Sequence, residues 1–261
     1  MTVEKWIDDR QAHGTYTFLR TDAVAGSRLS AEAVKKALQR SVARGRVLKL
    51  KDYFFVIVPL EYQGAGGPPV SWFIHDLMGA IRLPYYVGIL TAAAQHGASH
   101  QQPQEFQVVT DRSVRPMTAG RVKIRFFASQ YVTKAAVTDV KTPTGTMRVS
   151  TPETTAIDLV RFVKAAGYAD NVATVLSELA PSLDPKRLLT AVRLVNDVPN
   201  AKRLGYLLER LGGKRLCEPM HAWVQRQSPR SVPLRPDRPV INAPEDRRWH
   251  VLVNHPIEVD T

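Results

Sequence analysis

The sequence predicts an α+β fold in two parts, residues 1–63 and 71–261, joined by a linker at 64–70. Three observations carry that prediction. Residues 1–58 run helix, short helix, turn, basic helix and two-stranded hairpin, in that order. The stretch 59–69 then holds Gly64, Gly66, Gly67, Pro68 and Pro69, a composition poor for regular structure. Beyond it, short β-branched and aromatic runs give way to a block of helical periods, the pattern of a small antiparallel sheet with a helical layer. A chain of 261 residues that is 44% hydrophobic has apolar material for one large core or two modest ones.

In the first part, residues 3–13 read as an amphipathic helix that Gly14 and Thr15 break. A second short helix is expected at 21–25, with Gly26, Ser27 and Arg28 as the turn after it. Ser30 stands where an N-cap belongs, its hydroxyl placed to accept from the free amides of the next turn. From 31 to 44, Val34, Ala37, Leu38, Ser41 and Val42 share one helical face, Lys35, Lys36, Gln39 and Arg40 the other, and Gly45 supplies the left-handed stop. Arg46 to Lys51 alternates apolar and basic residues, Asp52 marks a tight turn, and 53–58 returns as an apolar strand. This order of elements is the winged helix-turn-helix plan.

In the second part, helices are expected at 71–82 and 85–97 on either side of Pro84, with Tyr86, Ile89, Leu90 and Ala93 as a core stripe. Strands are expected at 105–110, 121–128, 138–142 and 146–150, the last two flanking the turn at Pro143, Thr144 and Gly145. Thr151 as N-cap and Pro152 at the first helical position open a helix to about 166 that Gly167 ends. Further helices are expected at 171–179, 185–195 and 201–211, the last stopped by Gly212 and Gly213. From about Cys217 the chain reads as a tail rich in proline and charge, with strands only near Val240 and at 249–253. Asp158, inside an apolar turn, reads as a buried polar anchor.

Charge narrows the partner. With 36 Lys+Arg against 24 Asp+Glu the net charge is +12, which favours a polyanion, nucleic acid or an anionic membrane. No apolar run approaches the roughly 20 residues that span a bilayer, and the N-terminus lacks a charged-then-apolar export signal, so the expectation is a cytoplasmic protein with no membrane partner. The single cysteine, Cys217, excludes an internal disulfide framework and reads as an ordinary thiol.

Double-stranded DNA is the polyanion the local patterns fit. Gln39 is suited to pair bidentately with adenine and Arg40 with guanine, while Lys35 and Lys36 suit a base edge or a phosphate. Arg46, Lys49 and Lys51 meet phosphates or a minor groove from the hairpin, Arg28 does so from the turn, and Ser30 opens the reading helix. Glu32 on the outer face accepts from a cytosine amine or favours the helix dipole. A basic helix face is often no more than a solvated surface. Here three basic segments converge, and that favours the DNA reading. Arg121, Lys123, Arg125 and Lys134 either extend that surface or form a solvated strand face whose partners Val122, Ile124 and Phe126 are buried.

The sequence resembles the AbiEi family of type IV antitoxins. In the first part the resemblance lies in LSAEAVKKAL at 29–38, GRV at 45–47 and YFFVIV at 53–58. In the second it lies in YYVGILTAAAQHG at 85–97, QVVT at 107–110 and VSTPETTAIDL at 149–159. The resemblance implies a winged-helix domain joined to an antitoxin domain, repression of the protein's own operon, and antagonism of a nucleotidyltransferase-like toxin encoded beside it.

Chemistry has few footholds. No phosphate loop and no nucleophile-elbow motif occurs, so no catalytic residue and no cofactor is expected. His96 and His100 stand four apart, but Gly97 ends the helix between them and no third ligand is near, so no metal site is expected. The alternative reading is a nucleic-acid enzyme, with Asp139, Lys141 and Asp111 as the carboxylates and lysine of a magnesium-dependent nuclease. A third is an interaction module for an acidic protein.

Overall fold

Local signals set the first three helices of the computed structural model, which describes residues 1–98 and 103–257. Thr2 caps α1 (Val3–Ala12), and after β1 (Thr17–Leu19) the Asp22 carboxylate accepts from the Leu19 amide at 2.8 Å to open α2 (Arg20–Ser27). Gly26 and Ser27, expected as turn, belong to α2. A Cβ on Gly26 would sit 1.9 Å from the Trp6 indole, so this glycine serves close helix packing and not chain reversal. The turn is Arg28 alone, in the left-handed region at φ 58°. Ser30 accepts from the Ala33 amide at 3.3 Å and opens α3 (Ala31–Ala43), and Gly45 follows at φ 69°.

The hairpin β2 (Val47–Lys51) and β3 (Phe54–Ile57) pairs antiparallel with a bulge between Lys49 and Lys51, and β1 adds to the far side of β3. Val3, Trp6, Ile7, Phe18, Val34, Leu38, Val47, Phe55 and Ile57 form one buried cluster between the helices and this sheet. Trp6 meets Phe18 edge-on at 5.1 Å, and Phe18 stacks on Phe55 at 5.4 Å.

By contact density the chain forms two units, one of Met1–Tyr85, Gln104–Ala128 and Asp139–Arg148, the other of Tyr86–Pro103, Ser129–Thr138 and Val149–Thr261. The stretch 64–70, read as a linker, lies inside the first unit. Gly66 and Gly67 (φ 76° and 148°) take a backbone conformation that residues with side chains rarely adopt, at a crowded place. A Cβ on Gly67 would fall 2.6 Å from Leu48 of β2, and one on Gly120 would fall 2.4 Å from the Gly66 carbonyl oxygen. The glycines make a tight joint between β2 and the turn at 120–121.

The first unit also holds α4 (Ile74–Ala80), shorter than the expected 71–82 because Val70–Trp72 forms a separate 3-10 turn. With it are β5 (Phe106–Thr110), β6 (Met117–Ala119) and β7 (Val122–Ala128). The sheet expected to be antiparallel is mixed: β6 runs antiparallel to β7, whereas β5 runs parallel to it, Phe106 to Thr110 against Ile124 to Ala128. Alternation fixes which face a strand buries, not the direction of its neighbour. Met117–Ala119 escaped sequence reading because three residues carry too little pattern. The hairpin β8 (Val137–Thr142) and β9 (Gly145–Ser150) turns at Pro143 and Thr144 as expected, its residues 139–148 belonging to this unit.

The stretch 85–97, which belongs to the second unit from Tyr86 on, is not one helix. It is β4 (Tyr85–Val87), whose Val87 pairs parallel with Val149, followed by α5 (Ile89–Gln95). Gly88 breaks the period, and the Tyr-Tyr-Val run takes the extended form its aromatic and β-branched residues favour. Tyr86, Ile89 and Ala93 are buried as the stripe requires, with Leu90 half-buried. Thr151 and Pro152 open α6 (Pro152–Arg161), which stops five residues before its expected end as Phe162 leaves helical geometry. Around it pack α7 (Tyr168–Leu179), α8 (Pro185–Val195) and α9 (Val198–Arg210), and α10 (Lys214–Val224) packs in turn on α8 and α9.

The helix α10 corrects the sequence reading, which began an irregular tail at Cys217. Pro219 removes one backbone donor there, and burial of Cys217, Met220 and Val224 offsets the loss. Burial also pushes the Cys217 thiol up to about 12, which fits an inert thiol. Short strands β10 (Val232–Pro233), β11 (Glu245–Asp246) and β12 (Val251–Leu252) follow, with none near Val240. His100 of the histidine pair lies outside the described residues; His96 is engaged with the Ser150 carbonyl oxygen at 2.8 Å.

Asp158 is the polar anchor of this unit. The Tyr86 hydroxyl donates to it at 2.9 Å and Arg161 at 3.4 Å. Burial pushes its carboxyl up to about 6 against the opposing pull of Arg161 and the Tyr86 hydrogen bond. A carboxyl with a raised folded pKa favours the native state when protonated. Its contribution is full below about pH 4 and is lost as pH rises toward 6, by up to about 3 kcal/mol. Asp158→Asn is therefore expected to flatten the fall in stability between pH 4 and 6, checked by denaturant titration of both proteins across that range. An unchanged slope would assign the carboxyl an ordinary pKa.

Candidate nucleic-acid interface

On α3, burial of Val34, Leu38 and Ser41 turns Lys35, Lys36, Gln39 and Arg40 outward, all four exposed. Glu32 and Arg28 are exposed on the approach to it. Beside this face lies a groove of about 400 Å3 between α3 and the hairpin. Lys35, Gln39, Lys49 and Arg20 line it, over the apolar Leu38 and Phe55. The fold thus brings three of the sequence-predicted residues, one from the hairpin and two from the helix, onto one concave surface.

Arg20 is the residue that sequence reading missed. Its guanidinium donates to the backbone carbonyl of Asp52, while Lys49 reaches the Asp52 carboxylate at 3.2 Å, so two cations gather at the hairpin turn. The only signal in the sequence was its place at the start of a short helix. Lys51, half-buried, sits across the bulge from Lys49. Ser30 acts as the helix cap, its hydroxyl turned to the Ala33 amide.

Arg46 is placed differently from the rest. It donates to Asp8 at 2.7 Å and to the Val58 carbonyl oxygen at 2.9 Å, tying α1 to both ends of the hairpin. Arg44 pairs similarly with Glu4 at 2.7 Å, but both of those side chains are more than half exposed.

Asp111 is held by its neighbour Arg112, which keeps its carboxyl below the usual range, and Asp139 is exposed. Among the described residues no group of three or more His, Cys, Asp or Glu stands ready to hold a metal ion. Nor, among them, is any helix long and apolar enough to cross a membrane.

Residues 86–210 match the family model described as the AbiEi antitoxin C-terminal domain. Over that segment the chain is similar to the AbiEi antitoxins. The matched segment runs from within β4 to the end of α9 and includes the Tyr86–Asp158–Arg161 network. The match supports an antitoxin or regulatory role in general terms. Among solved structures, the crystal structure of the RV2827C protein from Mycobacterium tuberculosis is similar, with a TM-score of 0.65 and 12% identity over 95% of this chain and 88% of that one. At that identity the likeness is one of fold. No curated protein matches the sequence.

Proposed function

We propose that this AbiEi-type chain is a sequence-specific, duplex-DNA-binding repressor without enzymatic activity. It acts in the cytoplasm on its own promoter and serves as the antitoxin of a type IV pair whose toxin is nucleotidyltransferase-like. The carrying observation is the groove in which Arg20, Lys35, Gln39 and Lys49 meet beside the exposed basic face of α3. The order α1, β1, α2, α3, β2, β3 supports a winged helix-turn-helix reading, in which α3 is the reading helix and the β2–β3 turn the wing. In this reading Lys36, Gln39 and Arg40 address base edges from α3, and Arg28, Lys35, Lys49 and Lys51 hold phosphates. Arg46 acts through its ties to Asp8 and Val58, as a positioning residue for the wing. The net charge of +12 supplies the long-range attraction.

The test is binding of the purified protein to its own upstream region and to random duplex of equal length, with salt titrated in both. The expected result is tighter binding upstream by a factor of at least about a thousand, above a shared salt-dependent background. Equal affinity for the two duplexes at every salt concentration would reject the repressor reading. Rescue of growth from the adjacent toxin by co-expression tests the antitoxin part separately.

A further inference from the structure

Lys49 lines a second groove, also of about 400 Å3, on whose far wall stand Thr118 and Gly120 of the β6–β7 hairpin, with Arg44 on the near wall. Thr118 is directly opposite Lys123 in the antiparallel pair of β6 and β7, and residues so paired project from the same face. Lys123 therefore shares the face of Thr118 and stands exposed beside the groove, while Ala119, which also lines it, shares the face on which Val122, Ile124 and Phe126 are buried. Arg121, exposed at the turn, packs its stem against Gly66.

The near and far walls pack together at the glycine joint, where a Cβ on Gly120 would fall 2.4 Å from the Gly66 carbonyl oxygen and one on Gly67 would fall 2.6 Å from Leu48. Neither Arg121 nor Lys123 makes an ion pair among the described residues. Arg125 is different: it pairs with Glu105 at 3.3 Å and lies over the Phe127 ring at 5.4 Å. Arg44 has an exposed partner in Glu4, and such pairs exchange readily for a phosphate.

We propose that this second groove and the β6–β7 surface beside it hold DNA sugar-phosphate backbone flanking the sequence read by α3, with Arg44 and Lys49 in the groove and the exposed Arg121 and Lys123 next to it as the cations. The inference rests on the duplex-DNA reading above and deepens it. The footprint then runs past the wing onto β6–β7, so that residues inside the AbiEi-type segment contribute to DNA binding.

The experiment uses the full chain with Arg121→Ala and Lys123→Ala together, both at exposed positions, after an unchanged melting curve. Each lost phosphate contact lowers the log–log salt slope by about 0.9, so the slope falls by about 2 and affinity for upstream and random duplex alike falls about tenfold. The ratio between the two duplexes stays the same, hydroxyl-radical protection shortens at the flank, and Lys123→Arg alone keeps the wild-type slope. A double variant with the wild-type slope and footprint, where Lys49→Ala with Lys51→Ala still lowers the slope, overturns this proposal and leaves the reading by α3 standing. Wild-type protein that binds no duplex at any salt concentration overturns both.

Discussion

Alanine at Lys36, Arg40, Lys49 and Lys51 together is expected to lower affinity for the upstream duplex by about ten-thousandfold and to remove most of its preference over random DNA. The two helix residues address base edges in the proposed reading, and each such contact is worth about 1–3 kcal/mol of discrimination. The two hairpin lysines hold phosphates, so their loss reduces the salt slope by about 0.9 each without changing sequence preference. The pairs are therefore separable. Lys36→Ala with Arg40→Ala collapses the upstream-to-random ratio at constant slope, and Lys49→Ala with Lys51→Ala does the reverse. None of the four contributes to the buried cluster of Val34, Leu38, Val47 and Phe55, so the variant is expected to melt with the wild type. A folded quadruple variant that binds the upstream duplex as tightly as the wild type removes α3 and the hairpin from the interface.

What was legible in the sequence follows how locally each feature is determined. α3 was read with its cap at Ser30 and its stop at Gly45 because a period, a cap and a left-handed glycine all lie within one stretch of chain. The hairpin and the Thr151–Pro152 start were legible for the same reason. Features made by distant partners were not. Gly66 and Gly67 read as a loose linker, since composition does not tell a glycine kept for freedom from one kept for close approach to Leu48 and Gly120. The parallel partner of β7, the role of Arg20 at the hairpin turn and the capture of Arg46 by Asp8 all depend on residues far away in sequence. The Tyr85–Val87 strand fell to a known ambiguity, because a short apolar run suits a buried strand and a helix alike.

Gly205→Leu is expected to destabilise the second unit by about 3–5 kcal/mol, the cost of evicting a buried tryptophan. Gly205 lies within α9, and a Cβ there would come 2.1–2.4 Å from atoms of the Trp249 ring. That ring has little freedom to retreat. Trp249 is fully buried, its indole N–H donates to Glu209, and its backbone amide donates to Asp246 at 2.8 Å. Next to it Arg248 donates to the same Glu209 carboxylate at 2.9 Å and to Glu218 at 2.7 Å. A turn earlier on α9, the buried Lys202 ammonium donates to the carbonyl oxygens of Ser228 and Arg230 at 2.7 and 2.8 Å. The segment after α10 is thus held along the helix by carbonyl ligation at one point and an indole at the next, which makes it part of the core despite its prolines and charge. Gly205→Ala, with only the Cβ to accommodate, is expected to cost about 1–3 kcal/mol. Trp249→Ala placed in the Gly205→Leu background is expected to cost less than in the wild type, because the leucine fills the space the ring leaves. Equilibrium denaturation of the four proteins measures that coupling. A Gly205→Leu protein as stable as the wild type, or strictly additive losses, would mean that the Trp249 ring does not lie against α9.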